Sequence, residues 1–295
     1  MKNLVLIINE KGSYGRHLGT TLLSVLKNSK ENWKIHIIYE NLSKETKDRL
    51  NTVANSYKSS IDYIEINKKD LEKFKVGEGT HLSSIVFARL FIPELLKTES
   101  KAIYLDCDIV VLKPLEELYN MDLSGKSIGV ILDGRKDQES SLKRLNLNLS
   151  RTYFNAGVMV MDLEKLRDNN KFLNTIEYCL NPDRELQLNE QDALNIMFEN
   201  DYAINEVIWN YTHGNSEENS YLESEIGIIH FTGSIKPWDC RNHSPYKHLY
   251  WKYLNETPWK GFEEENKTIK NIIKRELIKF KLKTRKIRYV LKGKK

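Results

Sequence analysis

Short apolar runs alternate with segments of helical spacing through the first 112 residues, and few chain folds accept that pattern. Leu4–Asn9 is a brief apolar run followed by the Gly/Ser-containing stretch Lys11–Gly15. Leu18–Leu26 carries apolar residues at helical intervals, and Trp33–Tyr39 is β-branched and aromatic. Ser43–Ala54 opens with a Ser N-cap and has Glu45 in its first turn. Ile61–Ile66 alternates apolar and polar positions, Leu82–Leu96 predicts a longer helix, and Ala102–Leu112 is the strongest buried strand of the chain. Strands separated by helices build βαβ units and a mainly parallel α/β sheet, whose ligands bind at the carboxyl ends of its strands.

The second half is less regular. Ile128–Asp133, Gly157–Met161 and Gly227–Phe231 predict strands, and Glu190–Phe198 predicts a helix. With no repeat, and with proline and glycine sparse before about Asp239, these segments are expected to fold back onto the first sheet as one domain. The N-terminal apolar run is about five residues before Glu10, Lys11 and Arg16, which suits a first strand and not a signal peptide. No apolar stretch approaches the roughly 20 residues of a membrane-spanning helix. Three cysteines, far apart, point to a reduced cytoplasm.

Within the strongest strand, Ile103-Tyr104-Leu105-Asp106-Cys107-Asp108-Ile109-Val110-Val111 sets two carboxylates two residues apart. On an extended strand they point the same way, and buried like charges repel unless a cation neutralises them. Hard oxygen ligands suit Mg²⁺ or Mn²⁺, with positions left for phosphate oxygens and water. The bland alternative ends the strand at Asp106 and leaves both acids in a solvated turn or helix cap. A hydrophobic strand ending in D-x-D also opens the haloacid-dehalogenase phosphatases. Those need a later acidic motif that is absent here, and their strand normally stands near the start of the fold.

Five motifs in order resemble the retaining glycosyltransferases of family eight. They are Phe87-Ala88-Arg89-Leu90, Tyr104-Leu105-Asp106-Cys107-Asp108, Tyr153-Phe154-Asn155-Ala156-Gly157-Val158, Asn189-Glu190-Gln191-Asp192-Ala193-Leu194-Asn195 and Ile229-His230-Phe231-Thr232-Gly233-Ser234-Ile235-Lys236-Pro237-Trp238. The resemblance covers about residues 3–240. It implies a GT-A type, Rossmann-like, mostly parallel sheet flanked by helices. It further implies transfer of galactose or glucose from a UDP-hexose donor to a cell-surface glycan or glycoprotein glycan, assisted by Mn²⁺ or Mg²⁺. A non-catalytic nucleotide-sugar-binding or partner-binding protein of the same fold is the alternative.

By resemblance, Asp106, Asp108 and His230 hold the metal. Asn9, Tyr14, Arg89, Asp106, Cys107, Asp133, Asn155, Gly157, Gly233 and Lys236 fall on donor contacts, and His81 on an acceptor contact. Glycine lets backbone N–H groups approach a diphosphate and lysine adds a point charge. Gln191 matches the position facing the reacting anomeric carbon. An amide is a poor nucleophile, so a front-face reaction is expected, with the Gln191 carbonyl dipole steadying an oxocarbenium-like transition state. Flanking Glu190 and Asp192 are the candidates should a carboxylate nucleophile operate. Members often carry a uracil-reading acid after the first strand; here Lys11 falls there, and a slip of one would substitute Glu10. Gly134–Arg151 and Asn210–Glu225 are expected to shape the acceptor site.

Charge separates the chain into unequal parts. The net charge is +5, yet residues 267–295 hold 13 Lys/Arg and one acid, leaving residues 1–266 at −7. An acidic body argues against a nucleic-acid face. Ile269, Ile272, Ile273, Leu277, Phe280, Ile287, Val290 and Leu291 interleave with the basic residues at near-helical spacing, a basic amphipathic helix or helix pair. The expected divisions are 1–240 as catalytic domain, 241–266 as helical extension and 267–295 as a tail for an anionic membrane surface. The tail could instead dock on the acidic body or stay disordered. The expected location is cytoplasmic, peripheral to the inner face of the cell membrane.

Overall fold

A computed structural model describes residues 1–10, 14–76, 83–134, 138–212 and 221–292. The expected alternation is present: β1 (Lys2–Ile8), α1 (Gly15–Asn28), β2 (Trp33–Tyr39), α2 (Lys44–Asn55) and β3 (Ser60–Glu65). Ser43 caps α2, its hydroxyl accepting from the Thr46 N–H at 3.2 Å. Further strands are β4 (Lys101–Leu105), β5 (Ile109–Val111), β6 (Ile128–Leu132), β7 (Phe154–Asp162), β8 (Tyr202–Asn205), β9 (Tyr211–Thr212) and β10 (Ile228–His230).

Seven strands form one sheet in the order β3-β2-β1-β4-β7-β6-β8. All neighbours are parallel except at β7, which runs against both β4 and β6. Both faces are buried, so β1 alternates partners and not polarity. Leu4, Leu6 and Ile8 pack with Leu18, Leu22 and Trp33 on one side, while Val5 and Ile7 pack with Phe87 and Leu90 on the other.

The expected single strand Ala102–Leu112 is in fact two. The chain leaves the large sheet after Leu105, turns through Asp106-Cys107-Asp108, and enters a second sheet as β5. That sheet has the order β5-β10-β9, with β10 antiparallel to β5 and parallel to β9. A sheet interior has no place for two adjacent carboxylates, so the backbone turns where they occur. Leu82–Leu96 also differs from a simple α-helix: Ser84–Phe91 is 3₁₀ and only Ile92–Leu95 is α-helical. Pro93, lacking an N–H, sits in the first turn of that short helix.

Residues beyond Trp238 wrap the start of α1. Glu265 accepts from Cys240 N at 2.8 Å and donates to Trp238 O at 2.8 Å, binding the extension to the segment after β10. The His17 ring stacks on Trp238 at 3.5 Å, the Arg16 guanidinium lies 3.4 Å over Phe262, and Trp259 packs where a Gly19 side chain would stand. The C-terminal segment is one helix, Ile269–Lys292, and not a pair. Arg275 ties it to Cys240 O at 3.2 Å, while Ile269, Ile273, Leu277 and Phe280 stay exposed along one stripe. Among the described residues no helix is long and apolar enough to cross a membrane.

Candidate active site

The two sheets meet at the Asp106–Asp108 turn, and each of its peptides is fixed. Asp106 N donates to Gly157 O at 2.9 Å, Thr21 Oγ1 to Cys107 O at 2.9 Å, and Phe231 N to Asp108 O at 3.0 Å. The solvated-turn alternative is therefore half right. The acids do lie in a turn, but it is partly buried and faces the end of β10. There His230 Nε2 stands 3.2 Å from Asp108 Oδ1 and 3.7 Å from Asp106 Oδ2, and the three ligand atoms lie within 4.8 Å of one another.

A chain of hydrogen bonds fixes the histidine tautomer. Gly157 N donates to Asn155 Oδ1 at 2.9 Å, so the Asn155 oxygen is an acceptor, and Asn210 Nδ2 donates to it at 2.9 Å. Asn210 Oδ1 then faces His230 Nδ1 at 2.8 Å and can only accept. Nδ1 is therefore the donor, and Nε2 is the ring nitrogen that faces the two carboxylates. Two carboxylates and an imidazole nitrogen converging in this way form a donor set that suits a divalent cation. Both second carboxylate oxygens are neutralised from outside the cluster. Asp106 Oδ1 accepts from Arg89 Nη2 at 3.0 Å and from the Tyr104 hydroxyl, and Asp108 Oδ2 accepts from Lys236 Nζ. Burial raises the Asp108 pKa, but Lys236 and then His230 more than reverse this and hold it well below the usual carboxylate range.

Gly157 allows this closeness. A Cβ there would sit 2.4 Å from His230 Cε1 and 2.6 Å from Asp106 Oδ2. The β6–β7 register shifts between Val130 and Ile131, a bulge that frees the backbone around Ala156 for other partners. Ala156 O accepts from Arg89 Nη1 at 2.7 Å, and Ala156 N donates to Gln191 Oε1 at 3.1 Å. Arg89 is buried, donates Nε to Val86 O at 3.1 Å, and lies 3.4 Å from Glu190 Oε1.

The helix Glu190–Met197 carries the remaining candidates. Gln191 is held on every side. Its oxygen also accepts from Asn155 Nδ2 at 3.1 Å, and its Nε2 donates to Asp133 Oδ2 at 3.3 Å and Tyr153 OH at 3.2 Å. The Gln191 carbonyl thus points at the Asn155 side-chain amide and the Ala156 N–H in this structure. Asp192 is fully buried and saturated: Arg144 grips it through Nη1 and Nη2 at 2.9 and 3.0 Å, Tyr153 OH donates at 2.6 Å, and Leu188 N at 2.8 Å. Glu190 is buried with no hydrogen-bond partner for Oε2, and desolvation pushes its pKa up to about 7 although Arg89 pulls the other way.

The donor candidates come from several elements. Asp133 directly follows β6, and Asn155 and Gly157 lie on β7. Tyr14 is the residue before α1, its ring edge-on to His17 and Trp238; burial raises its pKa, and the nearby Cys107 and Asp108 raise it further. Cys107 contributes its carbonyl to Thr21. Gly233 has φ +88°, a left-handed conformation that favours glycine, in the exposed bend before Lys236. Asn9 donates to Glu40 Oε2 at 2.5 Å. Glu10 is engaged elsewhere, accepting from Ser43 N at 2.6 Å and from the Thr46 hydroxyl. His81 and Lys11 lie outside the described residues, as do parts of Gly134–Arg151 and Asn210–Glu225. Sequence reasoning missed Asn210, Tyr104, Tyr153 as a hydroxyl donor and Arg144.

Comparison with known proteins agrees with this geometry. The sequence model of Glycosyl transferase family 8 matches residues 5–241. General stress protein A of Bacillus subtilis strain 168 is 30% identical over 269 residues, 84% of this chain and 91% of that protein. The lipopolysaccharide 1,2-glucosyltransferase of Escherichia coli K12 is 26% identical over 270 residues, 87% of this chain and 78% of that protein. The crystal structure of an active-site mutant of LgtC superposes with TM-score 0.78 at 20% identity, covering 87% of this chain and 96% of that one. At that identity the likeness speaks for the fold, GT-A. The chain belongs to glycosyl transferase family 8 and is a glycosyltransferase.

Proposed function

We propose that the chain is a divalent-metal-dependent retaining hexosyltransferase. It moves galactose or glucose from a UDP-sugar to a cell-surface glycan or glycoprotein glycan. The observation that carries this reading is the convergence of Asp106, Asp108 and His230 Nε2. Mn²⁺ or Mg²⁺ held there would supply a Lewis acid that stabilises the departing diphosphate. Lys236, after the Gly233 bend, adds positive charge toward the same diphosphate. Arg89 backs the donor site through its bond to Asp106, and Asp133, Asn155 and Gly157 offer hydrogen bonds and room for the sugar. Tyr14 and Asn9 flank the base, and His81 contacts the acceptor.

A front-face reaction at Gln191 fits better than double displacement. Asp192 has both oxygens engaged and serves to hold Gln191 and Tyr153 in place. Glu190 retains one unpartnered oxygen and is the remaining nucleophile candidate. Intact-mass detection of a glycosyl adduct on Glu190 would overturn the front-face choice.

The test of the function is Mn²⁺-dependent UDP release across a panel of UDP-sugars. Turnover with UDP-galactose or UDP-glucose is expected. Metal-dependent UDP binding without turnover of any donor would favour the non-catalytic binder. Residues 1–240 form the catalytic unit and 241–266 the extension in this reading. Residues 267–295 rest on an anionic membrane at the cytoplasmic face. The exposed stripe Ile269, Ile273, Leu277 and Phe280 within a basic helix supports that placement. Leu277→Ser with Phe280→Ser should abolish co-sedimentation with anionic vesicles; unchanged sedimentation would sink it.

A further inference from the structure

The two carboxylates of the metal cluster are neutralised by unlike cations. Arg89 is locked on Asp106, because its other nitrogens are bonded to Val86 O and Ala156 O and the side chain is only 6% exposed. Lys236 is held differently. Its ammonium donates to Asp108 Oδ2 and to Phe231 O at 2.9 Å, with no third partner among the described residues, and its side chain is 15% exposed. The backbone around it is pinned: Asn242 Nδ2 donates to Ile235 O at 2.6 Å, and Trp238 is stacked on His17. Only the flexible four-carbon stem is left to move.

We propose that Lys236 is a positioning residue that couples metal binding to diphosphate binding by exchanging Asp108 for the diphosphate. While its ammonium lies on Asp108, it cancels charge that a divalent cation needs. A diphosphate arriving beside the cluster offers the ammonium denser negative charge. Moving to it returns the full Asp108 charge to the cation. Each ligand thereby strengthens the other, and the coupling is reciprocal. This rests on the metal reading given under the proposed function.

Mn²⁺ titration of the full chain, read by electron paramagnetic resonance with and without UDP, tests it. Lys236→Met should bind Mn²⁺ about 10-fold more tightly than wild type without UDP, because a nearby positive charge is gone. UDP should strengthen Mn²⁺ binding by wild type at least about 10-fold more than by Lys236→Met. Lys236→Arg, which keeps the charge, should bind Mn²⁺ no more tightly than wild type without UDP, and matching thermal midpoints show that all three fold. Unchanged or weaker Mn²⁺ binding by folded Lys236→Met overturns the proposal. So does tighter binding with the UDP effect undiminished, since the lysine would then stay on Asp108. Failure of every chain to bind Mn²⁺ overturns it together with the metal assignment. Loss of donor turnover alone, with these titrations as expected, counts against the proposed reaction and leaves the exchange standing.

Discussion

Asp106-Cys107-Asp108 and Glu190-Gln191-Asp192 have the same spelling, acid-x-acid, and opposite geometry. The first lies in a turn between two sheets, and its carboxylates converge on one imidazole within 4.8 Å. The second opens a helix, where residues two apart project about 200° from each other. Glu190 therefore faces Arg89 at 3.4 Å, while Asp192 faces Arg144 at 2.9 Å, and Gln191 is left between them. Spacing sets how far apart two acids can be; the backbone between them decides whether they share a cation or each take their own.

Four substitutions probe that contrast. Asp108→Asn removes a convergent acid and should lower UDP-sugar turnover by about 10³-fold, several kcal/mol of transition-state stabilisation. A loss under about tenfold in initial rates would show that the turn holds no catalytic cation. In the helix, Arg144→Met strands a fully buried carboxylate and should cost about 3 kcal/mol in urea unfolding. A change below about 1 kcal/mol would mean that Tyr153 and Leu188 suffice to hold Asp192.

The third concerns pH. Glu190 has a folded pKa near 7, above the ordinary 4.5, so the folded chain binds its proton more tightly than the unfolded chain. That contribution to stability is present below about pH 4.5 and is lost as pH rises to about 7. Glu190→Gln removes it, so the stability of the variant relative to wild type should climb over that window, by up to about 3 kcal/mol. A flat difference between the two pH–stability curves would show that Arg89 holds Glu190 ionised throughout. The smallest effect belongs to Gly157→Ala, whose new methyl presses on His230 and Asp106. Mn²⁺ affinity should fall about 10–100-fold with the fold retained; full affinity would place the cation elsewhere.

Much of the frame was legible because it is local. β1, β2 and α2 follow from periodicity and a serine cap, and the acidic pair, His230 and Lys236 stand out by residue type beside apolar strands. The break of β4 after Leu105 was harder to see. Ile109–Val111 is as apolar as the segment before it, and only the partner of β5, more than a hundred residues later, shows that it belongs to another sheet. The same holds for Asn210. A metal-binding histidine needs an acceptor for its other nitrogen, but an asparagine can supply it from anywhere in the chain. Arg144 and Asp192 are 48 residues apart, and neither sequence neighbourhood announces the other. Gln191 was placed by motif, while the direction of its carbonyl depended on the β6–β7 bulge, which leaves no compositional trace.

The wrapping of α1 by residues beyond Trp238 bears on how the enzyme comes into being. The first helix is made early, yet Trp259, Phe262 and Glu265 complete its surroundings, and the Asp106–Asp108 pair itself waits for His230. On the ribosome, the first three strands can pair long before either pocket exists. A chain stopped before His230 would own the large sheet without the Asp106–Asp108–His230 cluster. The cluster therefore closes late in synthesis, after every strand of the seven-stranded sheet has been made.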